Sequence, residues 1–147
     1  MNKKRIIGVV TIKDNFCVQS FGYKNYLPIG NPTIVVKNLN DWSIDEILIQ
    51  CIDRSIKNSG PNFNLLEKIT NQSISTPIIY SGGIRNSKDA ELVIKLGADR
   101  IVIDNILHND PNEVIKISEG KWMPLLSLPR YLKVTPENPI VTQPYIH

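Results

Sequence analysis

The stretch TPIIYSGGIRNSKDAELVIKLGADRIVIDNILHNDP, residues 76–111, decides the fold. Pro77 to Ser81 is a short apolar run that ends in Gly82-Gly83, and Asn86 or Ser87 then caps an amphipathic segment that stops at Gly97. A glycine just past a periodic apolar run supplies the left-handed residue that closes a helix. Arg100 to Asp104 is a second apolar run, so the order is strand, diglycine turn, helix, strand. That is one βα unit passing into the next strand of a parallel sheet. A diglycine turn lets the backbone come close to a ligand, and the helix behind it offers unpaired N–H groups to an anion. Gly82 and Gly83 are therefore candidates for a phosphate seat, against the plainer reading of a strand-to-helix turn.

The same pattern extends in both directions. Arg5 to Ile12 is a β-branched apolar run bounded by charge, as suits a strand buried on both faces, followed by a Lys13-Asp14-Asn15 turn and a short extended return from Phe16 to Phe21. Tyr23 and Tyr26 fall on the long loop after it. Asn31 as N-cap and Pro32 at the first position open a helix in which Val35, Leu39 and Trp42 recur at helical spacing toward a sheet. Asp45-Glu46 leads into a strand over Ile47 to Ile52, and Pro61 starts a helix with Leu65, Leu66 and Ile69 as its buried stripe. Asp110-Pro111 caps a last helix of about two turns. Four strands alternating with four helices predict an α/β fold with a parallel sheet.

Residues 1–120 carry this pattern and residues 121–147 depart from it. Trp122 to Leu128 is a candidate fifth strand weakened by Pro124 and Pro129, and four of the ten prolines fall in the last 19 residues, an extended tail. With 147 residues the chain is the size of one domain and buries roughly 70% of its unfolded surface. Lys and Arg outnumber Asp and Glu by 17 to 14, with no basic run beyond Lys3-Lys4-Arg5, so charge gives no footing for nucleic-acid binding. Cys17 and Cys51 stand apart with no CxxC or Cys/His cluster, so neither a disulfide framework nor a zinc site is suggested. Reduced thiols in a cytoplasm fit best. The apolar run at the N-terminus is too short for a signal sequence or a membrane span. No metal or organic cofactor is expected.

KRIIGVVTIKDN, GNPTIVV, DEILIQCIDRS, TPIIYSGGIRNSKDAELVIKLGADRIVI and the NDP at Asn109 to Pro111 resemble, in order and spacing, the first half of the cyclase subunit of imidazole glycerol phosphate synthase. The likeness spans about residues 4 to 111, and the chain looks closer still to the relatives of that subunit in cell-surface polysaccharide gene sets, which also keep an Asp at the position of Asp53. The resemblance implies half of a TIM-type (βα)8 barrel, a (βα)4 unit with a proline-rich extension. A full barrel takes roughly 200 residues or more. It further implies a lyase of histidine biosynthesis acting on a phosphorylated sugar-type substrate, with ammonia delivered by a glutaminase-type partner. The second half-barrel would be another copy or another protein, because an open sheet leaves apolar edges and a bare inner face.

Residue by residue, the resemblance puts the family's first-strand general acid at Thr11 and the aspartate opening its second-strand motif at Cys51, with Asp53 nearby on the same rim. On the candidate fifth strand the second catalytic aspartate aligns with Pro129. A threonine hydroxyl cannot serve as the missing acid, since without an adjacent base it does not ionise usefully at neutral pH. The family's phosphate-holding Asn-Thr pair aligns with Asp104-Asn105, and a carboxylate there weakens anion binding. At the opposite end, three members of an alternating charged ring that gates ammonia match Arg5, Glu46 and Arg100. The bland alternative is a set of solvated strand entrances. A non-catalytic half-barrel that binds a partner or a phosphorylated ligand is the competing function.

Overall fold

The computed structural model describes residues 4–119. A six-stranded sheet carries helices on one face. Its strands are β1 (Ile7–Lys13), β2 (Phe16–Phe21), β3 (Asn25–Gly30), β4 (Glu46–Cys51), β5 (Ile78–Ser81) and β6 (Arg100–Val102), in the order β3-β2-β1-β4-β5-β6. β1, β4, β5 and β6 are parallel, and helices α1 (Pro32–Asp41), α2 (Phe63–Thr70), α3 (Ser87–Lys95), α4 (Asn105–Asn109) and α5 (Pro111–Glu119) follow them in turn. The four βα units of a partial TIM-type barrel are thus present. The candidate fifth strand at Trp122–Leu128, the boundary at residue 120 and the proline-rich tail lie outside the described residues.

Alternation along the strands separates the two faces. Val10 and Ile12 of β1, Ile47, Ile49 and Cys51 of β4, and Ile78 and Tyr80 of β5 are buried against the helices. Val36, Leu65, Leu66, Ile69, Ala90, Val93, Val114 and Ile117 meet them from the helix side. Each large apolar side chain so buried stabilises the fold by about 1.5–3 kcal/mol. The other face keeps Ile7 and Val9 exposed at 46% and 56%, and this is the side that a closed barrel would turn inward.

The caps are local chemistry. Asn31 Oδ1 accepts from Thr33 N at 3.0 Å with Pro32 at the first helical position, and Asn86 Oδ1 accepts from Asp89 N at 2.9 Å. Gly97 ends α3 at φ +102°, and Asp110 Oδ1 accepts from the Asn112 and Glu113 amides to start α5.

Three sequence expectations need correction. The loop holding Tyr23 and Tyr26 belongs to a β2–β3 hairpin, with Tyr23 in its turn and Tyr26 within β3. Trp42 does not face the sheet: α1 ends at Asp41, Trp42 takes the C-cap position, and its side chain is 73% exposed. Asn105 begins a short helix, α4, that no strong periodicity announced.

Candidate functional site

At the strand starts, charge converges on one carboxylate. Glu46 opens β4 and Arg100 opens β6, while Arg5 precedes β1 by two residues. Arg5 Nη2 stands 2.7 Å and Arg100 Nη2 2.8 Å from the same oxygen, Glu46 Oε1. The Glu46 side chain is 3% exposed and each arginine 54%, so the carboxylate is buried beneath two guanidiniums that remain in contact with water. The inward parity of β1, β4 and β6 brings the three together: Ile7 pairs with Glu46, and Arg100 with Ile79. Asn40 ties this end together, its Oδ1 accepting from the amides of Ser75 and Thr76 at 2.9 and 3.1 Å.

At the strand ends, Gly82, Gly83, Asp104 and Asn105 line one cavity of about 420 Å³ together with Ser55 and Tyr23. The glycines are needed for a reason that the residues alone do not disclose. A Cβ on Gly82 would sit 2.2 Å from Cys51 O, and one on Gly83 would sit 2.4 Å from Gly60 O. The close approach is therefore to the chain's own β4–α2 loop. Ser55 Oγ accepts from Gly83 N at 3.2 Å. Nor are the first amides of α3 left open, as the sequence suggested. Glu113 Oε2 of α5 accepts from Ser87 N at 2.8 Å, and the Asp89 amide is held by Asn86. A carboxylate of the protein itself already sits where an anion was expected.

Glu113 has a measurable consequence. The Lys116 ammonium, and then the Ser87 amide, hold its carboxyl below the ordinary value of 4.5, at about 2. A folded value below the unfolded one gives stability that is present above pH 4.5 and lost as pH falls toward 2. Urea midpoints of the wild type should therefore fall across this window, and Glu113→Gln should flatten that fall while leaving its slope above pH 6 unchanged. An identical acid limb in the variant would show that the Glu113 contact is absent.

The three residues at the positions of the rim carboxylates are dispersed. Thr11 is half-buried on the barrel-interior face beside Gln50. Cys51 is buried on the helix side, where desolvation pushes its thiol up to about 11, so it stays protonated at neutral pH. Cys17 is likewise raised to about 11 by burial. Both cysteines pair with Ile12, from opposite sides, which separates their Cα atoms by roughly two strand spacings, about 10 Å, too far for a disulfide.

Asp53 lies beyond the end of β4 and accepts from Lys57 Nζ at 2.9 Å and from Asp14 N at 3.3 Å, while Lys57 also pairs with Asp14. Asp14 and Asn15 both take positive φ, 50° and 65°, as the two-residue β1–β2 turn demands. Asp53 thus pins this turn to the β4–α2 loop. The i,i+4 spacing of Asp53 and Lys57 was the available signal for that link. A second tie had none: Asn62 N donates to Tyr80 Oη at 2.7 Å, and Asn62 Nδ2 donates to Asn15 Oδ1 at 2.7 Å. Among the described residues no cluster of three metal-ligating side chains occurs, and no helix is long and apolar enough to cross a membrane.

A family model described as histidine biosynthesis protein matches residues 5–122. The chain is 34% identical over 112 residues to a putative imidazole glycerol phosphate synthase subunit hisF2 of Vibrio vulnificus, covering 76% of this chain and 41% of that protein. It is 32% identical over 120 residues to the imidazole glycerol phosphate synthase subunit HisF of Campylobacter lari, covering 82% and 47% respectively. Identity is again 32% over 119 residues to HisF of Thermococcus gammatolerans, covering 81% and 47%. The chain therefore spans less than half the length of these relatives.

Proposed function

This chain belongs to the histidine biosynthesis protein family, and from that premise we propose that it is a cyclase-like, ammonia-conducting half-barrel that works in a complex. Its partners are a second half-barrel, which covers the bare sheet face, and a glutaminase-type subunit at the strand starts. The substrate is a phosphorylated sugar or nucleotide-derived compound at the opposite rim, near Gly82, Gly83 and Asn105. The observation that carries this reading is the sharing of Glu46 Oε1 by Arg5 and Arg100. A buried carboxylate gripped by two half-exposed arginines closes a narrow mouth, and one arginine swinging out to water opens it to a small neutral molecule.

A second reading rests on the rim. Thr11 supplies no acid, Cys51 keeps its proton, and Asp53 is occupied by Lys57, which favours a non-catalytic half-barrel that binds a partner or a phosphorylated ligand.

One assay separates the two. Formation of imidazole glycerol phosphate from the phosphorylated ribulosyl substrate and ammonium salt would be followed with this chain alone, then mixed with the C-terminal half of the Vibrio vulnificus relative. The cyclase-like reading predicts turnover only in the mixture, raised about tenfold or more by Thr11→Asp, since a positioned acid is worth about 100-fold or more. No turnover in either mixture, wild type or Thr11→Asp, would overturn it in favour of the binding role.

A further inference from the structure

We propose that the cavity between the amino-terminal ends of α1 and α2 binds a phosphomonoester, at a site separate from the diglycine rim. The cavity measures about 610 Å³ and is walled by Arg54, Lys68, Asn64 and Phe16, and no Asp or Glu contributes to its lining. The cavity that Gly82 and Gly83 line together has the opposite balance, with Asp104 and no lysine or arginine, while Gly83 also borders a cavity of about 370 Å³ that holds Arg54, Arg85 and Asp110, so it is Lys68 and Phe16 that set the proposed site apart. The Asp104-lined cavity and the proposed one share no residue. A phosphate carrying nearly two negative charges at neutral pH is repelled by the Asp104 lining and attracted by the proposed one.

The cations are also uncommitted. Among the described residues neither Arg54 nor Lys68 lies within ion-pair distance of a carboxylate, whereas Arg5, Lys57, Arg85 and Arg100 all do. Arg54 is half-buried and makes a long 3.4 Å bond to Ser59 Oγ. A guanidinium partly withdrawn from water with no counter-charge keeps its planar pair of donors for an anion. Lys68 adds a mobile ammonium, and the Phe16 ring, 59% exposed, gives a flat apolar wall beside the charge. The polar network around Asn62 and Asn15 holds the β1–β2 turn and the start of α2 in fixed relation, so the walls are already in place.

The site does not rest on the cyclase-like reading, and one titration distinguishes their failures. Amide resonances of the 147-residue chain would be followed by NMR as ribose 5-phosphate is added, with inorganic phosphate and adenosine 5′-monophosphate as further arms. The proposal expects saturable shifts at Asn31, Thr33, Asn64 and Leu65. It expects affinity to fall about tenfold in Lys68→Ala and in Arg54→Ala, to survive in Lys68→Arg, and to be unchanged in Lys88→Ala, another unpaired lysine. Tighter binding of the nucleotide than of ribose 5-phosphate, lost in Phe16→Leu, would assign the ring its part; equal binding would confine recognition to the phosphate. Shifts confined to Gly82, Gly83 and Asn105 would overturn this site and leave the cyclase-like reading standing. Absence of saturation, or an equal loss in Lys88→Ala, would overturn it as well.

Discussion

Gly82→Ala is expected to remove a large part of the chain's folding stability. Gly82 sits at φ +117°, a conformation closed to residues with a Cβ, and the added methyl carbon would lie 2.2 Å from Cys51 O. Backbone strain and backbone overlap act together here, and neither can be relieved by turning a flexible side chain. The combined cost is on the order of 4–5 kcal/mol, against the 5–15 kcal/mol that a domain of this size has in total. Gly22 provides the control. It too has positive φ, +60°, but nothing lies within 4 Å of its hypothetical Cβ, so Gly22→Ala should cost about 1–2 kcal/mol. Urea unfolding followed by circular dichroism reads both. Similar midpoints for the two variants would mean that the diglycine turn is not packed on the β4–α2 loop.

The second large effect is at the opposite end of the strands. Glu46→Ala removes the acceptor shared by Arg5 and Arg100 and leaves a void beneath them. Breaking a fully buried pair costs about 3–5 kcal/mol, but both arginines are 54% exposed and can turn to water, so about 2 kcal/mol is expected. Most of it should persist in high salt, because the lost acceptor is buried. Glu46→Gln, which keeps the shape and one acceptor, should fall between the wild type and Glu46→Ala in thermal denaturation. A Glu46→Ala variant as stable as wild type would reduce the three residues to solvated strand entrances.

The alternation of β1, β4, β5 and β6 with helices was legible because burial on the helix side imposes apolar runs of strand length, and because Asn31-Pro32, Asn86 and Asp110-Pro111 advertise helix starts through local chemistry. β3 was missed because Pro28 speaks against a strand, and only pairing with β2 at a sheet edge accommodates it. Trp42 was misplaced because its spacing from Val35 and Leu39 continues a helical stripe past the residue where the helix stops.

At the site, Gly82 and Gly83 announced unusual backbone, but not that Cys51 and Gly60 would fill the space they leave. Glu113 reaches Ser87 across 26 residues, and Asn62 reaches Asn15 across 47. No local pattern encodes such contacts. The convergence of Arg5, Glu46 and Arg100 came from family likeness and is explained by strand parity, which places all three on the inner face.

The described sheet packs helices on one face and leaves much of the other uncovered. Ile7 and Val9 stand exposed there, the lower part of β1 is unpaired on its β2 side, and β6 is an edge strand, which together favour association with a second half-barrel. Sedimentation equilibrium of the pure 147-residue chain at micromolar concentration tests this most directly. A species of about twice 16.6 kDa or larger is expected, and a compact monomer of 16.6 kDa would show that the uncovered face needs no second half-barrel.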